Sequence, residues 1–498
     1  MVKRISRRLF LGAALGGFAG ASLAGAPAVS LRPRVRPEKV TARAAPAIEA
    51  LIREARLGGQ VSFAVVDTGT GRILESHRGA TGQPPASVTK AITALYALDV
   101  LGPGHRFETR LLATGPVEGG VLKGDLILAG GADPTLDTDG LAALASKLKK
   151  SGVHTVTGKL RVWGGALPFE RVVDATQPEH VAYNPSISGI SLNYNRVYFG
   201  WKRAGSDYTL MMDARSAKHR PDVRVARISV VTRATPVYTY SDEGDHDAWT
   251  VARRALGNGG ARWLPVRKPA AYAAEVFSIF LRAHGIKVET GRALADAGPP
   301  GGRVLARHRS APLAEILRGM LKYSNNLTAE MVGMAASSRR RGQPVALRAS
   351  ALAMSRWARR ELGLGDAHLV DHSGLGEASR LGATALARGL APGQRAERLK
   401  PLLKPFAMRD DAGEVDPDHP VDVAAKTGTL YFVSSLAGYM TTPDGTELAF
   451  AIFTANPDLR AGFDRASGQR PEGARGWNAR AKRLQQRLIE RWSMVYAS

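Results

Sequence analysis

Three short motifs in this chain could together perform acyl transfer on a serine. Ser87-Val88-Thr89-Lys90, Ser324-Asn325-Asn326 and Lys426-Thr427-Gly428 follow one another in that order. A hydroxyl is a poor nucleophile at neutral pH and needs an adjacent base, donors for the developing oxyanion and, for an anionic substrate, a cation. The motifs offer all of these, and their ordered occurrence carries the signal, not any one alone.

On a helix, Ser87 and Lys90 are one turn apart on a shared face, so the ammonium reaches the hydroxyl. With Ser87 at the helix start, free backbone N–H groups point at its surroundings. Lys90 becomes a base only if its pKa falls well below about 10.4, which burial and a second cation such as Lys426 would bring about. Ser324 and Asn326, in a short loop between helices, would face one cleft: Ser324 relays a proton between Lys90 and the leaving group, and Asn326 holds Lys90 and a substrate amide. The same residues would also cap a helix beginning at Leu327. A register shift gives Tyr323-Ser324-Asn325, a Tyr-x-Asn pattern with the tyrosine as base, and the residues alone leave it open. Lys426, Thr427 and Thr429 would hold a terminal carboxylate at the start of an apolar strand, and Gly428 would let a substrate backbone come close. The Thr429 N–H would join that of Ser87 as an oxyanion hole. A second Ser-x-x-Lys, Ser146 to Lys149, falls on an amphipathic helix over 141–150, where its lysines read as a solvated face.

The elements that must position these residues are legible around them. Residues 61–66 and 72–76 flank Asp67-Thr-Gly-Thr-Gly71 as a β-hairpin, and 91–101, apolar on nearly every face, reads as a buried helix. A second hairpin runs from Val433 through Thr442-Pro443-Asp444-Gly445 to Phe453, and Leu484, Leu488, Trp492 and Val495 recur at helical spacing. Helices are expected over 312–321, 327–338 and 346–362. Between the two ends, 102–300 is rich in Gly, Arg and short β-like runs at 121–128, 156–163 and 227–232, with few helices, and reads as a mostly β insertion.

The first residues, with paired Arg7 and Arg8 ahead of a Gly- and Ala-rich apolar run, read as an export signal over 1–28, cleaved after Ala26 or Ala28 and similar to a twin-arginine signal. Removing it takes away Lys3, Arg4, Arg7 and Arg8 and no acid, which lowers the formal charge from +25 to +21. Such a surface favours polyanions: cell wall and membrane surface at the periphery, rather than nucleic acid, for which no aromatic-basic motif is present. There are no cysteines, which excludes disulfides, thiol chemistry and thiolate metal sites.

With these motifs the chain resembles the serine D-alanyl-D-alanine carboxypeptidase/endopeptidases, the class C low-molecular-mass penicillin-binding proteins. The 237 residues from Ser87 to Ser324 match that class, which has a large insertion there, and not the single-domain serine β-lactamases. Leu122 to Leu136, Ser191-Leu-Asn-Tyr-Asn195, Ser324 to Glu330 and Asp371-His-Ser-Gly-Leu375 are also family-like, and favour the Ser324/Asn326 register. The resemblance implies an α/β fold of the serine β-lactamase/DD-peptidase type, an antiparallel sheet flanked by helices, built from 29–101 and 301–498. A two-part, mostly β insertion over 102–300 would interrupt it. It implies hydrolysis of the terminal D-Ala-D-Ala bond, or of D-Ala crosslinks, in peptidoglycan stem peptides through an acyl-enzyme on Ser87. It further implies acylation by β-lactams, no cofactor and a periplasmic location, and leaves the oligomeric state open.

Two stretches depart from the family. Where relatives carry an acidic residue for the stem-peptide side chain, this chain has Gly158-Lys-Leu-Arg-Val-Trp-Gly-Gly165. The Asp-Gly-Ser-Gly-Leu-Ser-Arg motif appears as Asp371 to Arg380 with extra residues, so Arg380 is given no role. Rival readings are a zinc site on His368 and His372, a wall-binding protein with a degenerate site, and a β-lactamase or esterase, for which no glutamate is placed by motif as a deacylating base.

Overall fold

The computed structural model describes residues 45–497 apart from 292, 295–298, 411 and 464–469. The expected signal over 1–28 lies outside the described residues. From Pro46 onward the chain forms one compact unit.

The sheet that carries the expected site is antiparallel and six-stranded, in the order Lys404–Pro405, Asp422–Leu430, Val433–Thr441, Glu447–Ala455, Gln60–Asp67 and Ile73–His77. Both expected hairpins are in it, joined where Gln60 pairs with Ala455 and Asp67 with Leu448. Its central strands are apolar on both faces because both are covered. Phe63, Val65, Leu436, Phe450 and Ile452 pack with Trp477, Leu484, Leu488 and Trp492 of the Ala474–Tyr496 helix. Ala64, Val66, Ala437, Ala451 and Phe453 face the other way, into the core around the Thr89–Leu101 helix. That helix is buried from Thr89 to Leu98, enclosed by Leu313–Tyr323, Asn326–Arg341 and Leu347–Leu362.

The intervening region holds a seven-stranded sheet and two three-stranded ones. The expected run over 121–128 splits at Gly124, whose φ of +157° breaks the strand: Val121–Leu122 and Leu126–Ala129 pair at different points along Thr155–Trp163. Two helices cover the larger sheet, Thr138–Lys150 and Pro269–Ala283. The second was not singled out from the sequence, although Pro269 at its first turn and Tyr272, Val276, Phe277, Phe280 and Leu281 at helical spacing are signals of one. Strand Arg303–Arg309 pairs with Glu108–Ala113, so this sheet continues past the expected boundary at 301. A short β run gives no sign in its own residues of which sheet it will join. Ser146 lies on the Thr138–Lys150 helix, away from Ser87, and Lys147 and Lys149 are solvent-exposed. No helix among the described residues is long and apolar enough to cross a membrane.

Candidate active site

Ser87 sits in a single 3-10 turn, Ala86–Val88, that runs straight into the Thr89–Leu101 helix. Its N–H is among the first of the turn, where no intrahelical acceptor exists. Ala86 has a φ of +45°, a conformation that non-glycine residues hold only when their surroundings enforce it. The enforcement is visible in the packing. A Cβ on Gly374 would lie 1.8 Å from the Ala86 carbonyl oxygen, and one on Gly428 would lie 2.8 Å from the Pro85 oxygen and 3.0 Å from the Ser87 nitrogen. Gly428 therefore lets the chain's own Ser87 turn come close, which is a different approach from the expected one of a substrate backbone.

Lys90 is fully buried, and its Nζ lies 2.9 Å from Ser87 Oγ, 2.8 Å from Asn326 Oδ1 and 2.8 Å from the Ser373 carbonyl oxygen. Burial first, and the Lys426 charge second, push its pKa down to about 7, against the opposing pull of Glu330 and Asp371. A neutral amine has two protons and one lone pair. Asn326 and Ser373 offer only acceptors here, so the protons go to them and the lone pair is left for the Ser87 hydroxyl.

Ser324 closes the Leu313–Tyr323 helix in a left-handed conformation, φ 56° and ψ 38°, and Asn325 caps the next helix by accepting from the Thr328 N–H at 2.9 Å. The capping role thus falls to Asn325, which frees Ser324 and Asn326 to face the cleft. Asn326 Nδ2 donates to the Tyr183 carbonyl oxygen at 2.8 Å, tying the site to the intervening region. Tyr323 is 74% exposed, so the shifted register puts its tyrosine in solvent and its asparagine in a cap.

On strand Asp422–Leu430, Lys426 and Gly428 are buried and Thr427 and Thr429 exposed. The Val423 oxygen accepts from the Phe406 N–H at 2.8 Å and the Thr427 oxygen from Lys426 Nζ at 2.6 Å, so backbone groups at this parity turn away from strand Val433–Thr441. Thr429 shares the parity, and its N–H faces the open edge beside Ser87. Burial pushes Lys426 down to about 8, with Lys404 adding to the effect.

Glu330 and Asp371 form a buried support that the sequence motifs do not name. Glu330 accepts from the His372 and Ser373 N–H groups at 2.8 and 2.9 Å, and Asp371 from those of Gly374 and Gly376 at 2.6 and 2.5 Å. Burial pushes both carboxyls up, and the Asp371 charge adds to the effect on Glu330, while these N–H groups and Lys90 favour the charged forms. The only sequence signal was their presence in the Ser324–Glu330 and Asp371–Leu375 stretches. His372 is buried with Nε2 2.7 Å from Ser350 Oγ, whereas His368 is exposed on a β-bridge to Arg380, so the two rings do not share a ligand position. The Arg380 guanidinium donates to carbonyl oxygens of its own turn, those of Glu377 and Ser379. The Gly158–Gly165 stretch lies largely in strand Thr155–Trp163 and contributes nothing to the cavity wall.

Ser87, Ser324, Asn326 and Thr429 open together into one cavity of about 750 Å³. Lys90, Lys426 and Gly428 lie buried beside it, and Thr427 is on the exposed strand edge.

A family model, the D-Ala-D-Ala carboxypeptidase 3 (S13) family, matches residues 44–470. The chain belongs to this family. S13 membership accounts for the order of the three motifs and makes the protein a serine DD-peptidase. It is 31% identical over 475 residues to a D-alanyl-D-alanine carboxypeptidase of Actinomadura sp. strain R39, covering 86% of each chain. It is 26% identical over 416 residues to D-alanyl-D-alanine carboxypeptidase DacB of Haemophilus influenzae, covering 80% of this chain and 85% of the relative. Among solved structures, penicillin binding protein 4 (dacB) from Haemophilus influenzae superposes with a TM-score of 0.72 at 21% identity, over 90% of this chain and 99% of that one. A second structure of that protein, complexed with a novel β-lactam, superposes with a TM-score of 0.70 at 22% identity, over 89% and 99% of the chains. The S13 fold is thus an α/β DD-peptidase fold of the class C low-molecular-mass penicillin-binding proteins, with a β-rich insertion.

Proposed function

We propose that Ser87 is the nucleophile of this DD-peptidase and Lys90 its base. The observation that carries this is the 2.9 Å contact of Lys90 Nζ with Ser87 Oγ, with two further acceptors at 2.8 Å to take the remaining protons. Lys90 removes the hydroxyl proton as Oγ attacks the carbonyl of the penultimate D-Ala. The N–H groups of Ser87 and Thr429 receive the oxyanion, and Lys426, Thr427 and Thr429 hold the terminal carboxylate. Lys90 then returns the proton, through Ser324, to the nitrogen of the departing D-Ala, or of the crosslinked residue. Water, deprotonated by the same lysine, hydrolyses the ester.

On this reading the substrates are peptidoglycan stem peptides, and β-lactams acylate Ser87 as well; the complex of the Haemophilus influenzae protein with a β-lactam supports the second part. The enzyme acts in the periplasm, exported along the twin-arginine route, with at most peripheral membrane contact and no nucleic-acid partner. The peptidase half comprises 29–101 and the residues after the strand that ends at Arg309, with 102–309 inserted; the sheet pairings support this division. Fluorescent penicillin tests the core of the proposal. A covalent label that Ser87→Ala removes and Ser146→Ala retains is expected, with released D-Ala and cut crosslinks found by mass spectrometry of digested sacculi. A label surviving in Ser87→Ala overturns it.

A further inference from the structure

Asn326 serves the reaction only with its amide the right way round. Its Oδ1 accepts from Lys90 Nζ at 2.8 Å, and its Nδ2 donates to the Tyr183 carbonyl oxygen at 2.8 Å. A carbonyl oxygen can only accept, so Tyr183 decides which end of the amide faces Lys90. Were the amide turned, its N–H would point at the amine and claim the lone pair. The Ser87 hydroxyl would then have no base to take its proton.

What holds the Tyr183 carbonyl in place lies in the inserted region. Tyr183 belongs to a loop closed by two backbone bonds between Glu170 and Ile187, 3.0 and 2.8 Å long, with no helix or strand of its own between them. Loops of this length are usually functional and not plain connections. Arg267, buried two residues past strand Gly259–Pro265, grips it. The Arg267 N–H donates to Asp247 Oδ2 at 2.7 Å, which fixes its backbone. Its guanidinium donates to the carbonyl oxygens of Arg171 at 3.1 Å, Glu179 at 2.8 Å and Asn184, the residue after Tyr183, at 2.7 Å. It also pairs with the Glu179 carboxylate at 3.2 Å. Among the described residues these partners all belong to the loop, and Arg267 Nε has none. A guanidinium is costly to bury, and here every bond that offsets the cost is made to the loop.

A second hold comes from Asn195, in the Ser191–Asn195 stretch. Asn193, Tyr194 and Asn195 have φ of 50°, 59° and 49°, and this left-handed turn aims the Asn195 amide at the Ser186 carbonyl oxygen, 2.9 Å away. The Asn195 carbonyl oxygen accepts from the Val266 N–H at 2.9 Å, so the two holds are joined next to Arg267.

We propose that Arg267 is a positioning residue for acyl transfer: by gripping the loop it keeps the Tyr183 carbonyl on Asn326, and so keeps the acceptor end of that amide toward Lys90. This rests on the reading of Lys90 as base given above.

Single-turnover acylation of Ser87 by a chromogenic β-lactam, followed to saturation, tests it. Arg267→Lys keeps the buried charge but gathers its donors on one nitrogen, which cannot hold carbonyls at both ends of the loop. Arg267→Ala removes charge and donors together; should it fail to fold, the lysine variant carries the test. With folding shown by the melting curve and by full final labelling, the saturated rate should fall by about tenfold, part of the hundredfold or more that a positioned base contributes. A loop that only shaped the cavity would weaken binding and leave that rate unchanged. In an Asn326→Ala background the same substitutions should change the rate by less than about twofold, because the group they act through is gone. An unaltered saturated rate in folded Arg267→Lys, or a tenfold loss that persists without Asn326, overturns the proposal and leaves Lys90 as the base. Acylation by Lys90→Ala at the unaltered rate removes the reading beneath it instead.

Discussion

Lys90 and Glu330 are joined through one backbone unit: the Ser373 carbonyl oxygen accepts from Lys90 Nζ at 2.8 Å while the Ser373 N–H donates to Glu330 Oε1 at 2.9 Å. Lys90 is thereby fixed, without touching it, to a carboxyl that burial pushes up to about 8 while two backbone N–H bonds favour its charged form. The anion raises the affinity of Lys90 for its proton, and the burial that encloses both lowers it. The near-neutral balance between the two makes a lysine usable as a base.

That balance sets a pH profile. Lys90 is pushed down to about 7, so acylation of Ser87 should rise as pH passes from 6 to 8 and the amine loses its proton. Stopped-flow acylation by a chromogenic β-lactam reads it directly. Lys90→Ala should lose at least about a hundredfold in rate while keeping its fold by circular dichroism. Acylation by that variant at the unaltered rate at neutral pH would refute Lys90 as the base.

Glu330→Gln should move the acid limb of the same profile to lower pH. Removing the negative charge takes away one of the two groups that hold the Lys90 proton on. It also sets an amide N–H2 against one of the two backbone N–H groups that Glu330 now receives, which costs about 1–3 kcal/mol of stability. A limb that stays in place or moves upward contradicts the link through Ser373.

The two registers at residues 323–326 separate by substitution. Asn326→Ala removes an acceptor from Lys90 and the tie to the Tyr183 carbonyl, and acylation should fall by roughly a hundredfold. Tyr323→Phe, at a side chain 74% exposed, should stay within about twofold. The reverse ranking would restore the tyrosine as base.

Buried His372 predicts an acid-sensitive fold. Burial holds it down to about 3, whereas an unfolded histidine titrates near 6.5, so the unfolded chain binds the extra proton between these values. Its contribution is therefore whole above pH 6.5 and is lost as pH falls from there toward 3. Denaturant titrations should show about 1.4 kcal/mol lost per pH unit in this window from this residue, and His372→Asn should flatten the slope. An unchanged slope in the variant would assign the acid sensitivity elsewhere.

Much of the site was legible because its chemistry is local. Ser87 and Lys90 lie within one turn, and Lys426 and Thr429 alternate on one strand, so spacing alone placed them. Asn325 as the cap, and with it the freedom of Asn326, depended on where the helix begins, and a run of three polar residues does not fix that within one position. Glu330 and Asp371 act through backbone N–H groups brought close only by folding, and no local period marks such contacts. The packing at Gly428 was hidden for the same reason: the backbone that approaches it is that of Pro85 and Ser87, distant in the chain. Strand Arg303–Arg309 is the fold's counterpart, since its register depends on Glu108–Ala113.

The union of strands Gln60–Asp67 and Glu447–Ala455 also governs when the enzyme can come into being. Asn456 reaches back to the Leu57 carbonyl oxygen across 399 positions of chain. During synthesis the hairpin made first must therefore wait, with one apolar margin uncovered, until the strand Glu447–Ala455 has left the ribosome. Helix-rich parts and the inserted sheets can condense early, but the floor beneath Ser87 is laid last. A nascent or truncated chain that ends before residue 447 should thus be inert and prone to aggregate, so that Ser87 gains its floor only once the strand over 447–455 is made.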